Sequence, residues 1–313
     1  MRVSARTVAA RWGSRLLEAL MTLWLLATLC FALLRAAPGG PFDTEKAAPP
    51  EVQAALAAQY RLDRPLPAQY GAWLGDVARG DLGPSFQYPD YTVNQLVASA
   101  LPVSALNGGL ALLLALLLGV PLGIWSALRA GQWIDRVLMF VAGLGLAVPK
   151  FVAAPLLVLL FAVTLHWLPA GGWGEWSNIV LPVIALALPN LAYCARLTRA
   201  SMLETLSAEY LRAARARGLS ETRLLFTHAL KPAMLPVVAW LSPALINVIT
   251  GSAVVEQVFG IPGMGRYFVQ GALNRDYTLV LGVVLVVGAL IVLINTLVDA
   301  VRAWMDPRLD ASA

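Results

Sequence analysis

Charged side chains are scarce in this sequence. Aspartate, glutamate, lysine and arginine together make up 13% of the 313 residues, whereas 59% are hydrophobic, and the mean hydropathy is +0.70. A water-soluble globule of this length needs more polar side chains to cover its surface. The composition therefore excludes an ordinary soluble domain and indicates a polytopic membrane protein.

Cysteine and histidine are nearly absent, with two residues of each. Cys30 and Cys194 both fall in apolar runs, which favours buried or lipid-facing thiols over a disulfide or a metal site. His166 and His228 are far apart in the sequence, and no His and Glu pair has the spacing of metal ligands. We therefore predict no metal site and no catalytic residue, which argues against an intramembrane enzyme.

A phosphate-binding loop is also missing, because no glycine-rich run is followed by Lys and then Ser or Thr. ATP would have to bind elsewhere, and we predict no cofactor in this chain. The net charge of +5 can indicate nucleic acid as a partner, but basic residues in a membrane protein usually mark its cytoplasmic side. Nucleic acid is therefore not a predicted partner, whereas membrane lipid is.

Six charge-poor intervals are long enough to cross a bilayer as helices, which takes about 20 residues. They cover residues 16–34, 101–125, 137–165, 176–195, 232–255 and 277–298. The first interval follows a basic start and precedes small residues, as the core of a signal peptide does. We interpret it as a retained span because its apolar run is longer than a usual signal core. The sequence thus predicts an all-α protein with six transmembrane helices.

The distribution of lysine and arginine predicts the orientation of the chain. With both termini in the cytoplasm, fifteen basic residues lie in the inner segments and seven in the outer ones, which satisfies the positive-inside rule. Residues 1–37 then hold the first span, residues 38–99 form a small extracytoplasmic cap, and residues 100–313 hold the other five spans. Within the cap, a short helix is predicted from Glu51 to Tyr60, after two prolines.

Pro149 and Lys150 lie near the middle of the third span. Proline removes a backbone hydrogen bond and kinks a helix, so the freed carbonyl needs another partner. An ionisable group at this depth usually lines a cavity or a transport path; the alternatives are that Lys150 extends toward the membrane surface or that the segment is re-entrant. Three asparagines within spans are candidates for the path or for helix packing: Asn107, Asn190 and Asn247.

The last outer loop, residues 256–276, contains a tight turn rich in glycine and proline. Charged residues flank the turn, so the loop is either a capped connection between two helices or a docking surface. The candidate docking residues are Glu256, Gly263, Arg266, Arg275 and Asp276.

Residues 196–236 form the longest polar interval in the second half of the chain and contain seven basic residues. Ser207 is predicted to cap a helix that begins one residue later, and Gly218 is predicted to end this helix in a left-handed conformation. Ser220 is predicted to cap a second helix, which Pro232 closes. The expected structure is two short helices on either side of a glycine.

On the first of these helices, Ala214 and Gly218 are four residues apart and share a face without bulk, which a partner can approach closely. Arg212, Arg215 and Arg217 would frame this face with positive charge. The alternative is that the arginines only fix the topology and that the alanines only favour a helix.

These residues resemble a known family. The cytoplasmic signature loop of binding-protein-dependent ABC importer permeases is similar to the order Ala213-Ala214, Gly218, His228, Leu230, Pro232. Arg212 stands where the family motif often has glutamate. Almost the whole chain resembles the first membrane subunit of oligopeptide permeases. The segments that carry this resemblance are LLRAAPGGPF, GDLGPSFQYPDYTVNQLV, HALKPAMLPV, GSAVVEQVFGIPGMGRYFVQGALNRDY and the late Asp306-Pro307 pair.

The resemblance implies the type I ABC importer permease fold and a bacterial inner-membrane location. It also implies a heterodimer with a homologous second permease, two ATPase subunits that bind ATP and Mg, and an extracytoplasmic peptide-binding protein that docks on the outer side. The signature loop would be the coupling helix that contacts the ATPase. Its residues are Glu209, Tyr210, Arg212, Ala213, Ala214, Arg215, Arg217 and Gly218.

Cargo and energy source can be read in more than one way. The resemblance implies oligopeptides, whereas related importers carry dipeptides, nickel complexes, glutathione or cell-wall peptides. Similar proteins tend to have a small residue where this chain has Lys150, and the central position of Lys150 leads to the hypothesis that it meets the carboxylate of a passing peptide. The alternative from another class is a secondary transporter driven by an ion gradient, with Lys150 and Asp299 as a proton relay.

Overall fold

The computed structural model describes residues 5–36, 51, 58 and 60–305, and these residues are mostly helical. The helices are α1 (Ala5–Ala36), α2 (Leu66–Ala78), α3 (Val93–Leu128), α4 (Trp133–Ala147), α5 (Lys150–Leu157), α6 (Trp176–Ser207), α7 (Glu209–Ala216), α8 (Glu221–Arg223), α9 (Leu230–Phe259), α10 (Met264–Leu273) and α11 (Tyr277–Met305). Two π-helical segments extend this set, Val158–Thr164 after α5 and Leu224–Ala229 between α8 and α9. Most of the short helix predicted from Glu51 to Tyr60 lies outside the described residues.

Within the described residues, five helical stretches are long and apolar enough to cross a membrane alone. A sixth crossing results if α4 and the stretch Lys150–Thr164 count as one span, because these two pass the same test together although they meet at an angle of 101°. The six predicted intervals therefore all coincide with membrane-type helices. The third is two helices with a break between them, either a broken span or a re-entrant segment, and not one kinked helix.

The break in this span lies at Val148 and Pro149. Val148 has ψ of 114° and Pro149 has ψ of 147°, so both residues are extended. The ring of a proline disfavours the helical conformation of the residue before it and removes its own N–H. Lys150 then starts α5, which means that the ionisable residue predicted in the middle of a span lies at the start of a half-length helix.

The chain divides into two compact units, one formed by Met1–Leu101 with Arg266–Val292 and the other by Pro102–Gly265 with Leu293–Ala313. In the first unit, α1 packs on α2 through aromatic rings, since Phe31 lies 5.2 Å from Tyr70 and 5.6 Å from Trp73 between ring centroids. The predicted boundaries at residues 37 and 99 concern the position of the chain relative to the membrane, and they stay a prediction.

The second unit is built around α6, which has fourteen buried residues between Ile179 and Met202. Gly119 and Gly123 of α3 are four residues apart and let α3 approach α6 closely. A β-carbon on Gly123 would lie 2.5 Å from the carbonyl oxygen of Ala195, and one on Gly119 would lie 2.9 Å from Cβ of Cys194. Small residues at this spacing are typical of tight helix pairs in membranes. Cys194 is buried, which is one of the two environments predicted for the thiols, and Cys30 is partly buried.

Candidate functional site

Helix α7 is a short surface helix that is held in place by Leu211. This side chain is fully buried in a cluster with Met202 of α6, Leu224 of the π-helical segment and Ala233 of α9. Ala214, one turn further along α7, packs partly against the same cluster. One row of α7 therefore contacts both α6 and the start of α9, so that a displacement of α7 acts on two long helices.

The other side of α7 faces outward. Seven of the eight predicted coupling residues are exposed: Glu209, Tyr210, Arg212, Ala213, Arg215, Arg217 and Gly218. Ala214 is half-buried, so the prediction that Ala214 and Gly218 offer one open face to a partner is wrong for Ala214. The side chain of Ala214 is turned toward the chain's own core, and the neighbouring Ala213 is the small residue that faces outward. We name the exposed set the α7 surface.

The start of α7 differs from the prediction. α6 continues to Ser207, whose hydroxyl donates to the carbonyl of Glu204 at 2.7 Å, and the N-cap of α7 is Ala208. Ser207 as the cap is therefore wrong, because its side chain bonds back into the preceding turn instead of forward to the next helix. Because α6 continues to Ser207, Arg196 and Arg199 belong to this helix and not to a loop.

The end of α7 follows the prediction. Gly218 has φ of +83°, the left-handed conformation expected of it, and the N–H of Leu219 donates to the carbonyl of Ala214. Ser220 is the N-cap residue of α8, as predicted, although its side chain makes no capping hydrogen bond. An ion pair of 2.9 Å between Arg215 and Glu221 joins α7 to α8.

Pro232 does not close the second helix, contrary to the prediction. α8, the π-helical segment and α9 form one continuous helical stretch over Glu221–Phe259. Pro232 lacks the N–H that would bond to the carbonyl of His228, and the hydroxyl of Tyr210 donates to that carbonyl at 3.4 Å instead. A π-helical turn and a side chain of α7 thus accommodate the proline without ending the helix.

A buried ion pair lies between α4 and α6. The Arg199 guanidinium donates to both carboxylate oxygens of Asp135, at 2.6 and 2.8 Å. The hydroxyl of Ser126 and the N–H of Gly131 also donate to this carboxylate. Asp135 is only 3% exposed, so this network fixes the loop between α3 and α4 on α6. Sequence reasoning missed Asp135, although a single acid among charge-poor spans was a signal for it.

Among the predicted path residues, the structure brings Lys150 and Asn247 together. The ammonium of Lys150 donates to Oδ1 of Asn247 at 2.7 Å and to its backbone carbonyl at 3.3 Å. Asn107 and Asn190 are buried and bond back to carbonyls of their own helices, at 3.2 and 2.8 Å. Pro149 precedes Lys150 at the break. Asp299 lies 3.6 Å from Arg302, so both groups of the predicted proton relay have other partners.

Two of the predicted docking residues are inside the second unit. Glu256 is 1% exposed and accepts a hydrogen bond of 2.6 Å from Ser104, whose hydroxyl accepts from the N–H of Met264 at 2.8 Å. Gly263 is also buried, and a β-carbon on it would overlap the Glu256 carboxylate. The prediction that Glu256 and Gly263 form a docking surface is wrong, because they pack against each other below the surface.

Asp276 is buried as well, inside the first unit. Its carboxylate accepts from the hydroxyl of Ser85 and from the N–H groups of Phe86 and Leu279, so it cannot face a docking partner as predicted. Nearby, the hydroxyl of Tyr88 donates to Gln270 at 2.8 Å, and burial raises the pKa of Tyr88. Arg266 and Arg275 are the predicted docking residues that are partly exposed.

A comparison with protein families matches residues 119–311 to the family described as "Binding-protein-dependent transport system inner membrane component". The match includes the α7 surface, the Asp135–Arg199 pair and the break at Pro149. The chain belongs to this family of binding-protein-dependent transport permeases. Among the described residues of this permease, no group of three or more His, Cys, Asp and Glu side chains is placed to hold a metal ion.

Curated relatives cover nearly the full length of this permease. The oligopeptide transport system permease protein OppB of Salmonella typhimurium is 50% identical over 94% of this chain and 97% of its own. OppB of Haemophilus influenzae is also 50% identical, with the same coverage. The dipeptide transport system permease protein DppB of Bacillus subtilis is 39% identical over 92% of this chain and 94% of its own.

A solved structure with a similar fold is a chain of the MetNI methionine ABC transporter in an inward-facing conformation. It matches with a TM-score of 0.55 and 19% identity, over 68% of this chain and 97% of the other. The permease therefore has the all-helical fold of type I ABC importer permeases, as the sequence predicted.

Proposed function

We propose that this chain is one of two permease subunits of an ATP-driven importer of oligopeptides in a bacterial inner membrane. The observation that carries the proposal is the 50% identity to OppB over almost the whole of both chains. The lower identity of 39% to a dipeptide permease favours oligopeptides over dipeptides. Nickel complexes, glutathione and cell-wall peptides are the other candidate cargoes.

The proposal assigns ATP hydrolysis to partner subunits. The sequence contains no phosphate-binding loop, so two ATPase subunits would bind ATP and Mg. A homologous second permease would supply the other half of the path, and an extracytoplasmic binding protein would deliver the peptide. Both termini would lie in the cytoplasm, which the excess of lysine and arginine in the inner segments supports.

We assign the α7 surface to the contact with an ATPase subunit. Its arginines offer positive charge to an acidic rim, and Ala213 leaves room for close approach. Leu211 connects this surface to α6 and α9 through the buried cluster that also holds Met202 and Ala233. A movement of the ATPase would therefore displace both long helices together with α7, because a close-packed cluster transmits displacement.

The test is transport by a reconstituted complex. This chain, its second permease, the two ATPase subunits and the binding protein are placed in proteoliposomes, and uptake of a labelled oligopeptide is measured with and without ATP. We expect uptake only with ATP and only with an ATPase whose phosphate-binding lysine is intact. Mass spectrometry of the ligands that co-purify with the binding protein then identifies the cargo.

The contrasting result is transport by this chain alone. Peptide movement driven by a proton gradient, without an ATPase, would replace the proposal by an ion-coupled transporter. The contacts of the described residues favour the ATP-driven importer, because the two groups of the predicted proton relay bond to other partners, Lys150 to the neutral Asn247 and Asp299 to Arg302.

A further inference from the structure

Lys150 is a cation in a membrane-spanning segment with neutral partners only. Its ammonium donates to the side-chain and main-chain oxygens of Asn247, 97 residues further along the chain. Within the described residues it forms no ion pair with an aspartate or a glutamate. An unpaired charge at this depth is unfavourable, and such groups usually bind an ion or a substrate.

The contact with Asn247 satisfies Lys150 only in part. An ammonium group has three N–H donors, and Asn247 accepts two hydrogen bonds from it, one of 2.7 Å and one of 3.3 Å. The amide of Asn247 also carries two N–H donors of its own, next to the ammonium. A group with two acceptor oxygens and a negative charge complements this pair, and a carboxylate has these properties.

The pair is reachable and is held in place. Lys150 is partly exposed and Asn247 is exposed, and the chain around Pro149 bends by 101° between α4 and α5. The residue after Asn247, Val248, is buried on α3, where a β-carbon on Gly108 would lie 2.8 Å from its Cγ1. This packing fixes the face of α9 that presents Asn247, which is what an oriented binding site requires.

We propose that Lys150 and Asn247 form a carboxylate-binding site that recognises the C-terminal carboxylate of a peptide in transit. The proposal rests on the function proposed above. The ammonium donates to the carboxylate, and the amide of Asn247 supplies a further donor. The C-terminal carboxylate is the one acidic group that peptides of every sequence share, so a site for it suits a permease that carries varied peptides.

The experiment compares one oligopeptide as the free acid with the same peptide as the C-terminal amide, in the reconstituted complex. The ratio of their ATP-dependent uptake rates is measured for the wild type, Lys150→Met, Lys150→Arg and Asn247→Asp. A third peptide, amidated at its C-terminus and carrying one glutamate, separates the terminal carboxylate from a side-chain carboxylate. Each ratio is taken within one variant, so it is independent of the amount of inserted complex. All variants use the same binding protein, so its selectivity cancels when their ratios are compared with that of the wild type.

We expect Lys150→Met to lower the ratio of acid to amide by about tenfold relative to wild type, the loss of one charge-assisted hydrogen bond. Lys150→Arg keeps the charge and retains most of the preference. Asn247→Asp places a carboxylate of the chain itself on Lys150, which competes with the peptide, so it lowers the ratio as Lys150→Met does. A purely structural Lys150–Asn247 contact predicts an unchanged ratio in Asn247→Asp, since Asp would only strengthen the pair.

An unchanged ratio in both Lys150→Met and Asn247→Asp overturns the inference while peptide transport itself stands. If the glutamate peptide with an amidated terminus is taken up as the free acid is, the site recognises carboxylates in general and the C-terminal assignment is overturned. If the wild-type complex moves neither peptide with ATP, the proposed function fails, and this inference fails with it.

Discussion

Arg199 holds Asp135 through two hydrogen bonds, from Nε at 2.6 Å and from Nη2 at 2.8 Å, and so joins α6 to α4. Bidentate pairs of this kind fix orientation as well as distance. The hydroxyl of Ser126 and the N–H of Gly131 also donate to the Asp135 carboxylate, so these bonds fix the loop between α3 and α4. In the sequence alone, this loop is only a short polar connection.

Loss of the Asp135 charge should destabilise this part of the chain. Asp135→Asn leaves Arg199 partly buried without its counter-ion, and we expect a loss of about 3 kcal/mol in the free energy of unfolding. The measurement is thermal unfolding of the purified protein in detergent. The matched control is Asp299→Asn, which removes the exposed Asp299–Arg302 pair and should change stability by less than about 1 kcal/mol. Equal losses in the two variants would contradict the assigned role of the buried pair.

Gly218 should be needed for its backbone conformation and not for its small size. Its φ is +83°, and a β-carbon there would meet no atom within 4 Å. Gly218→Val strains the end of α7 by about 1–2 kcal/mol, and we expect it to uncouple ATP hydrolysis from peptide uptake. Gly218→Asn should retain coupling, because asparagine tolerates the left-handed region. The readout is the amount of peptide moved for each ATP hydrolysed. Normal uptake by a membrane-inserted Gly218→Val complex would refute the prediction.

The close approach of α3 and α6 should make Gly123 intolerant of one added methyl group. A β-carbon on Gly123 would lie 2.5 Å from a backbone oxygen and 2.6 Å from Cβ of Thr198, so α3 must shift. We expect Gly123→Ala to lower stability by about 1–3 kcal/mol. Gly109→Ala is the matched control, because nothing lies within 4 Å of that position in the same helix, and it should be neutral or slightly stabilising. The midpoint of thermal unfolding decides between the two expectations.

Ser104 should stabilise the turn after α9, because its hydroxyl forms hydrogen bonds to two groups at once. Ser104→Ala removes a donor from the buried Glu256 and an acceptor from the N–H of Met264, with an expected loss of about 2 kcal/mol. Ser99→Ala is the comparison, because its hydroxyl bonds only to the carbonyl of Leu96 in the preceding turn. Faster proteolysis near residue 262 in Ser104→Ala alone would support the role, whereas identical cleavage of both variants would not.

Local features of the chain were predictable from sequence. Charge-poor intervals identified each membrane helix, because a charge inside lipid is unfavourable at any position in the sequence. The left-handed Gly218 and the cap position of Ser220 were predictable because they depend on a few neighbouring residues.

Contacts between distant residues were not predictable in the same way. The Asp135–Arg199 pair joins residues 64 positions apart, and no spacing rule connects them. The burial of Glu256 and Asp276 was missed because a charged residue next to a glycine-rich turn is usually exposed, whereas here Ser104 and Ser85 lie close enough to bond to them. Pro232 was wrongly taken as a helix end, since its sequence signal does not show that a tyrosine of α7 satisfies the freed carbonyl.

The break between α4 and α5 has a mechanical consequence. α4 contains 15 residues and is about 22 Å long, which is less than the roughly 30 Å of a hydrocarbon core. Rotation about the Cα–C bond of Val148 leaves its own bond to Leu144 intact, and it also leaves the bonds from Val152 and Ala153 to Pro149. A change at this hinge can therefore move Lys150 without the loss of these backbone hydrogen bonds, and the contact with Asn247, the side-chain packing of α5 and the packing of Val158 and Phe161 hold it in place.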